Sequence, residues 1–153
     1  MAEPSLAAGG QIKGPLLPRS KEQLYSAGQG QKTHQRVEGF FRNAPIIDDS
    51  IEGLRYLNDQ YNVLIVSSAT EFPNSLNEKL EWLNEYYPFI SWKQMIFCGE
   101  KKSIKGDIMI DDHIKNLQYF QGEKILFTQP HNIYIDSISY KRVHTWKEIM
   151  TIL

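Results

Sequence analysis

From Val37 onward, short apolar runs alternate with segments whose apolar residues recur every three or four positions. Short runs suit strands buried on both faces of a sheet, and the longer period suits amphipathic helices. Residues 62–68, 94–98, 107–112 and 124–128 are the predicted strands, with Arg142 and Val143 a shorter extended piece. Between them, Ile51, Leu54 and Leu57 fall on one helical face, and Leu76, Leu80 and Leu83 on another, with Trp82 beside them. Residues 113–120 form a further predicted helix, and Trp146, Ile149 and Ile152 mark a last one. Asp49 with Glu52, Ser75 with Glu78, and Thr145 with Glu148 have capping-box spacing, which places the helix starts. Strands alternating with helices imply right-handed crossovers and an α/β parallel sheet with helices on both faces.

Residues 1–35 break this pattern. Their apolar pairs follow no period, and Gly, Ala and Pro dominate up to Pro18. Residues 26–31 are turn-like, and residues 20–25 have room for a turn or two of helix. The segment reads as atypical and loosely ordered, leaving residues 36–153 as one core domain. Phe40 and Phe41 open that domain and suit either its core or the edge of a cleft. The 153 residues are enough for one core, and 41% hydrophobic with 23% charged residues is ordinary for a soluble chain. A net charge of −1 gives no reason to expect nucleic acid or an anionic membrane. No apolar run is long enough to span a bilayer and no signal peptide is evident, so a cytoplasmic setting is expected. The single cysteine, Cys98, rules out an intrachain disulfide and reads as a small buried residue.

Chemistry collects at the predicted strand ends. Ile108-Met109-Ile110 runs directly into Asp111 and Asp112. Adjacent carboxylates repel and favour a cation or a shared proton, and Mg²⁺ with oxygen ligands suits them. Ser67 and Ser68 close an earlier strand, and Lys101 with Lys102 follows another. In a parallel sheet these ends open on one rim, where ligands collect. Hydroxyls can donate to phosphate oxygens, and a lysine can neutralise developing charge. The plain readings compete: a helix-capping Asp, a small serine, and solvated lysines at 79, 101 and 102. His113 reads as a helix start and His131 as a loop residue packed near the rim. His34 and His144 have no ligand spacing and suggest no zinc site.

The order hydroxyl, lysine, double aspartate resembles the second to fourth motifs of the haloacid dehalogenase superfamily. Residues 37–153 resemble the 5′(3′)-deoxyribonucleotidase family, a 5′-nucleotidase type C-like group. The likeness is carried by Gly39-Phe40-Phe41-Arg42, Ile65-Val66-Ser67-Ser68-Ala69, Glu71-Phe72-Pro73, Glu78-Lys79-Leu80-Glu81-Trp82, Phe97-Cys98-Gly99, Ile110-Asp111-Asp112 and His131-Asn132. It implies a Rossmann-like core and a Mg²⁺-dependent phosphomonoesterase acting on (deoxy)nucleoside monophosphates through an aspartyl-phosphate. Ser67 and Ser68 would bind phosphate, Lys101 would be the third-motif lysine, and Lys79 would reach the substrate phosphate. Asp112 would be the Mg²⁺ ligand, with Asp111 its companion.

One departure is large. The family begins with a central strand ending in Asp-x-Asp, which supplies nucleophile and general acid. No aspartate precedes Asp48 in this chain. The first strand and most of the base-selecting cap are therefore expected to be missing or replaced, with the start of the chain lost or altered. The chain as written should be a poor phosphatase, or a catalytically degenerate member that binds a phosphate ligand or a protein. A missing central strand would leave open edges and invite self-association. A phosphorelay receiver domain also uses acids, a hydroxyl and a lysine, but there the acids come first.

Overall fold

Each predicted strand finds a parallel partner. The structure is a computed structural model that describes residues 4–9, 35–136 and 139–153. Its strands are β1 (Ser5–Gly9), β2 (Asn62–Ser68), β3 (Met95–Cys98), β4 (Ile108–Asp111), β5 (Glu123–Phe127) and β6 (Lys141–Val143). Among the described residues they form one sheet in the order β3-β2-β1-β4-β5-β6, every neighbouring pair parallel. The helices are α1 (Ser50–Gln60), α2 (Ser75–Tyr86), α3 (Ile114–Leu117) and α4 (Trp146–Ile152). This is the α/β Rossmann-like architecture expected from the alternation.

The centre of the sheet departs from expectation. The loosely ordered reading of the N-terminal segment does not hold for Ser5–Gly9, which forms β1 and fills the central position. Leu6 pairs with Val63 on one side and Ile108 on the other, and Ala8 with Ile65 and Ile110. Small apolar side chains suit a strand covered on both faces. Leu6, Ala7 and Ala8 are all buried. The start of β1 is fixed by Asp107, whose Oδ2 accepts from the Ser5 amide at 2.7 Å and the Ser5 hydroxyl at 2.9 Å. Those two bonds hold the Asp107 carboxyl below the usual aspartate range. The open central edge is thus closed, and with it goes the reason for expecting self-association. Residues 20–25 and 26–31, read as helical and turn-like, lie outside the described residues.

Strand alternation divides the core. Leu6, Ala8, Ile108, Ile110 and Ile125 face the side where Leu54 and Leu57 of α1, Trp82 and Leu83 of α2, and Ile149 of α4 pack. Ala7, Val66, Met109 and Leu126 face the other side, with Leu117 of α3 and Phe120. The two faces are unequally covered, the three longer helices lying on the first. Gly53 of α1 lies directly against Trp146 of α4: a Cβ there would meet the Trp146 ring at 2.6 Å.

Two capping boxes do not form. Asp49 precedes α1 with φ 59° and makes no side-chain cap bond. The residue before α2 is Asn74, also without a cap bond, and Ser75 is already helical. Thr145 does cap α4, accepting from the Glu148 amide at 3.2 Å. The buried face of α2 is also rotated from the leucine stripe. Ser75, Glu78, Lys79, Trp82 and Leu83 are buried, whereas Leu76 is 40% exposed. A helix spacing of three and four is kept, but two charged residues occupy it. Of the predicted helix over 113–120, only Ile114–Leu117 is α-helical. No helix among the described residues is long and apolar enough to cross a membrane.

If Ser5–Gly9 is the central strand, Leu6→Ala should destabilise the fold by about 2–5 kcal/mol, as for other fully buried leucines. Urea unfolding followed by circular dichroism checks this; a wild-type midpoint would remove β1 from the core.

Candidate active site

Ser67 and Asp112 stand at the same height on the rim. Ile65 and Ile110 both pair with Ala8, and each of the two polar residues follows two positions later. One strand lies between β2 and β4, so their axes are about 10 Å apart. The end of β1 falls in that gap, and there Gly9 pairs with Asp111. No carboxylate lies within Ser5–Gly9.

Asp111 is wholly buried and is neutralised from within. The Lys101 ammonium, carried on a 3₁₀ turn (Lys101–Ser103), donates to its Oδ2 at 2.7 Å, and both side chains are almost fully enclosed. Oδ1 accepts from the His113 amide at 2.8 Å and from Asn116 Nδ2 at 2.9 Å. The repulsion anticipated between the adjacent acids is therefore relieved by a lysine on one of them. Lys102, 62% exposed, pairs with Glu100 at the surface.

Asp112 faces a different set of groups. Its Oδ2 lies 3.5 Å from His131 Nε2. Its backbone carbonyl accepts from Asn132 Nδ2 at 2.8 Å and lies 3.0 Å from the same imidazole nitrogen. Asn132 is 1% exposed and also donates to the Phe127 carbonyl at 2.8 Å, so it ties the loop after β5 to the end of β4. Arg142 supports that loop through Asn132 Oδ1 and the Ile135 carbonyl.

On the other side of β1, Ser67 is buried, and the Ser68 carbonyl accepts from Lys79 Nζ at 2.6 Å. Lys79 is 4% exposed and its ammonium sits 4.6 Å from the centre of the Phe41 ring. Burial pushes this lysine down to about 8; the nearby Lys101 charge adds to the effect and Glu71 opposes it. The solvated reading of Lys79 is thus corrected, and so is that of Lys101. Phe41 is buried too and packs between Phe40 and Phe72. It belongs to the core and to the wall beside Lys79 at once.

Glu78, one residue earlier, does not cap its helix. Its carboxylate accepts from the amides of Gly39 at 2.8 Å, Phe41 at 2.9 Å and Arg42 at 3.3 Å. Burial alone would push its carboxyl up; the donors from Gly39, Asn74, Phe41 and Arg42 outweigh it and hold the group below the usual range. Gly39 adopts φ 82°, a left-handed turn that aims its amide at Glu78. Cys98 has no activating surroundings: burial pushes its thiol up against the pull of Lys101.

The structure thus gathers Ser67, Ser68, Lys79, Lys101, Asp111 and Asp112 along one edge of the sheet. Sequence reasoning missed Glu78 as a tether, Asn116 as a support for Asp111, and Asn132 as a support for Asp112. Asn132 stood inside a recognised stretch, yet nothing in its spacing showed which carbonyl it would reach. A separate concavity lined by Ile46, Asp48, Asp49, Ser50 and Arg55 lies at the start of α1 and contains none of these residues.

Two outcomes follow from the buried charges. Lys101→Met should cost about 3–5 kcal/mol by stranding Asp111, and adding Asp111→Leu should recover most of the loss; denaturant midpoints of the single and double variants decide it. For Lys79, the unfolded chain keeps its proton to about pH 10.4 while the folded one releases it near 8. The unfolded state binds more protons across that window, so this group makes stability rise with pH there. Lys79→Met should remove the rise between about pH 7.5 and about pH 10, read from urea midpoints.

Comparison with known proteins places these residues in a family. The model of 5′ nucleotidase, deoxy (Pyrimidine), cytosolic type C protein matches residues 18–153. The 5′(3′)-deoxyribonucleotidase of Bacillus subtilis (strain 168) is 48% identical over 109 residues, which cover 71% of this chain and 62% of the relative. A 5′(3′)-deoxyribonucleotidase of Bacillus phage SPbeta matches with the same identity and coverage. The chain spans about three-fifths of the length of these relatives. The residues matched by the family model begin after β1, so the central strand of the sheet lies outside that match. With most of its length matched, the chain belongs to the type C 5′-nucleotidase family, whose curated relatives are 5′(3′)-deoxyribonucleotidases.

Proposed function

We propose that the rim holds the phosphate of a (deoxy)nucleoside monophosphate in the manner of a Mg²⁺-dependent phosphomonoesterase, with the nucleophile lacking. The observation that carries this reading is the pair of buried lysines. Lys101 is already matched by Asp111. The described acceptor of Lys79 is a carbonyl, a dipole rather than a charge, and burial beside Lys101 holds its proton weakly. A phosphate dianion would add negative charge at Lys79, beyond what Glu71 supplies, and strengthen that proton. Ser67 and Ser68 would donate to the same anion from the end of β2.

Asp112 fits a magnesium ion that is held by one carboxylate, the substrate phosphate and waters, the usual economy of protein Mg²⁺ sites. Asp111 spends both oxygens on protein donors, so its part is to hold Lys101 and the backbone of His113 in place. When bound, Mg²⁺ would polarise a phosphoryl oxygen. Attack on phosphorus needs a carboxylate at the end of the central strand, and β1 ends in Ala-Ala-Gly. The same observation favours a second reading for this chain, a phosphate-ligand module with little or no turnover. Small soluble nucleotides as ligands agree with a cytoplasmic setting.

Calorimetric titration with thymidine monophosphate and Mg²⁺ should give binding that Lys79→Met weakens at least tenfold. Hydrolysis of the same nucleotide should run no faster than in Asp112→Asn. Unchanged binding in Lys79→Met would end the phosphate reading. Turnover that Asp112→Asn abolishes would identify another residue as nucleophile and overturn the loss of chemistry.

A further inference from the structure

Beside the phosphate rim, the fold assembles a donor set of a different kind. Asp112, His113 and His131 each offer one ligand atom, and these atoms lie within 4.8 Å of one another. His113 follows Asp112 directly and stands at the start of α3. His131 comes from the loop after β5, and its ring centre lies 4.4 Å from that of His113, the planes inclined by 35°. The approach is not accidental to a mobile loop, because the adjacent Asn132 is buried and bonded to both Asp112 and Phe127. Two imidazoles this close to a carboxylate are a donor set that transition metals take readily.

One carboxylate oxygen with two imidazole nitrogens is the chemistry of Zn²⁺, Co²⁺ or Ni²⁺ rather than of Mg²⁺, which prefers oxygen throughout. Ligand atoms on a tetrahedral zinc ion sit about 3.3 Å apart, given bonds of about 2.0–2.1 Å. Side-chain rotation of the two histidines can close the remaining distance, for His113 is half-buried and His131 is exposed. We propose that Asp112, His113 and His131 form a site for one transition-metal ion of the zinc class, with its remaining position open to water or a phosphate oxygen. Such an ion would compete with Mg²⁺ for Asp112. The inference shares that carboxylate with the phosphate reading but does not depend on phosphate binding.

The test is calorimetric titration of the full chain with ZnCl₂, repeated with Co²⁺ and followed by its visible absorption. One ion per chain is expected. His131→Asn and His113→Asn should each weaken zinc at least tenfold and abolish the Co²⁺ absorption, while His144→Asn and Cys98→Ser leave both unchanged. Mg²⁺ binding should fall in Asp112→Asn but not in His131→Asn. Wild-type zinc affinity in His131→Asn and His113→Asn, or a loss that follows Cys98→Ser or His144→Asn instead, would overturn the site. Melting curves of each variant show that it is folded, and His131→Gln repeats the substitution with a second side chain. Thymidine monophosphate binding is read through Lys79, so either reading can fail without the other.

Discussion

A parallel sheet tolerates no vacancy between two of its inner strands. Every backbone amide and carbonyl facing such a vacancy would lose its partner inside the protein, at about 1–3 kcal/mol for each one left buried. In this molecule β1 carries that burden: its two edges pair with β2 and β4, and the helices and rim take their positions from the sheet so joined. Ladder bonds are indifferent to side-chain chemistry. Leu-Ala-Ala satisfies them as well as a strand bearing carboxylates would. Architecture and side-chain chemistry therefore make separate demands on the same five residues, and Ser5–Gly9 meets the first.

Around that centre, charge is managed by enclosure. Lys101 and Asp111 neutralise one another where water is excluded, and the remaining oxygen of Asp111 is taken up by a backbone amide and Asn116. A buried pair of this kind gives orientation more surely than stability. Lys79 is different, since its hydrogen-bond acceptor is a carbonyl and its burial works against its charge. The rim thus holds one cation bonded directly to a carboxylate and a second bonded to a carbonyl, with the charge of Glu71 acting on it from nearby.

Much of the fold was legible because short apolar runs and helical spacing report burial directly. The strand over 62–68 agrees with β2 residue for residue. The order of hydroxyl, lysine and twin acids along the chain likewise translates into one edge, because parallel strands all end on the same side. What was not legible depends on tertiary contacts. β1 is five residues, four of them small, with no periodic signal, and its ladder comes from β2 and β4 on either side. The face of α2 was misread because Glu78 and Lys79 point inward toward polar groups, whereas apolar counting favours Leu76 and Leu80. Asp49 and Ser75 had the right spacing for caps, but spacing does not fix the left-handed backbone found at Asp49 or the helix starting at Ser75. His131 reaches Asp112 from 19 positions further along the chain, a meeting that no local pattern announces.

The adjacency of Glu78 and Lys79 has a mechanical side. One side chain grips the amides of the turn over 39–42, and the next reaches the carbonyl at the tip of β2. Phe41 completes the circuit, since its amide is held by Glu78 while its ring lies against the Lys79 ammonium. A single helical turn therefore serves as a shared mount for the 39–42 turn and for the cation packed against Phe41. Displacing the 39–42 turn would therefore pull on both attachments of that helical turn at once, and through Lys79 on the tip of β2.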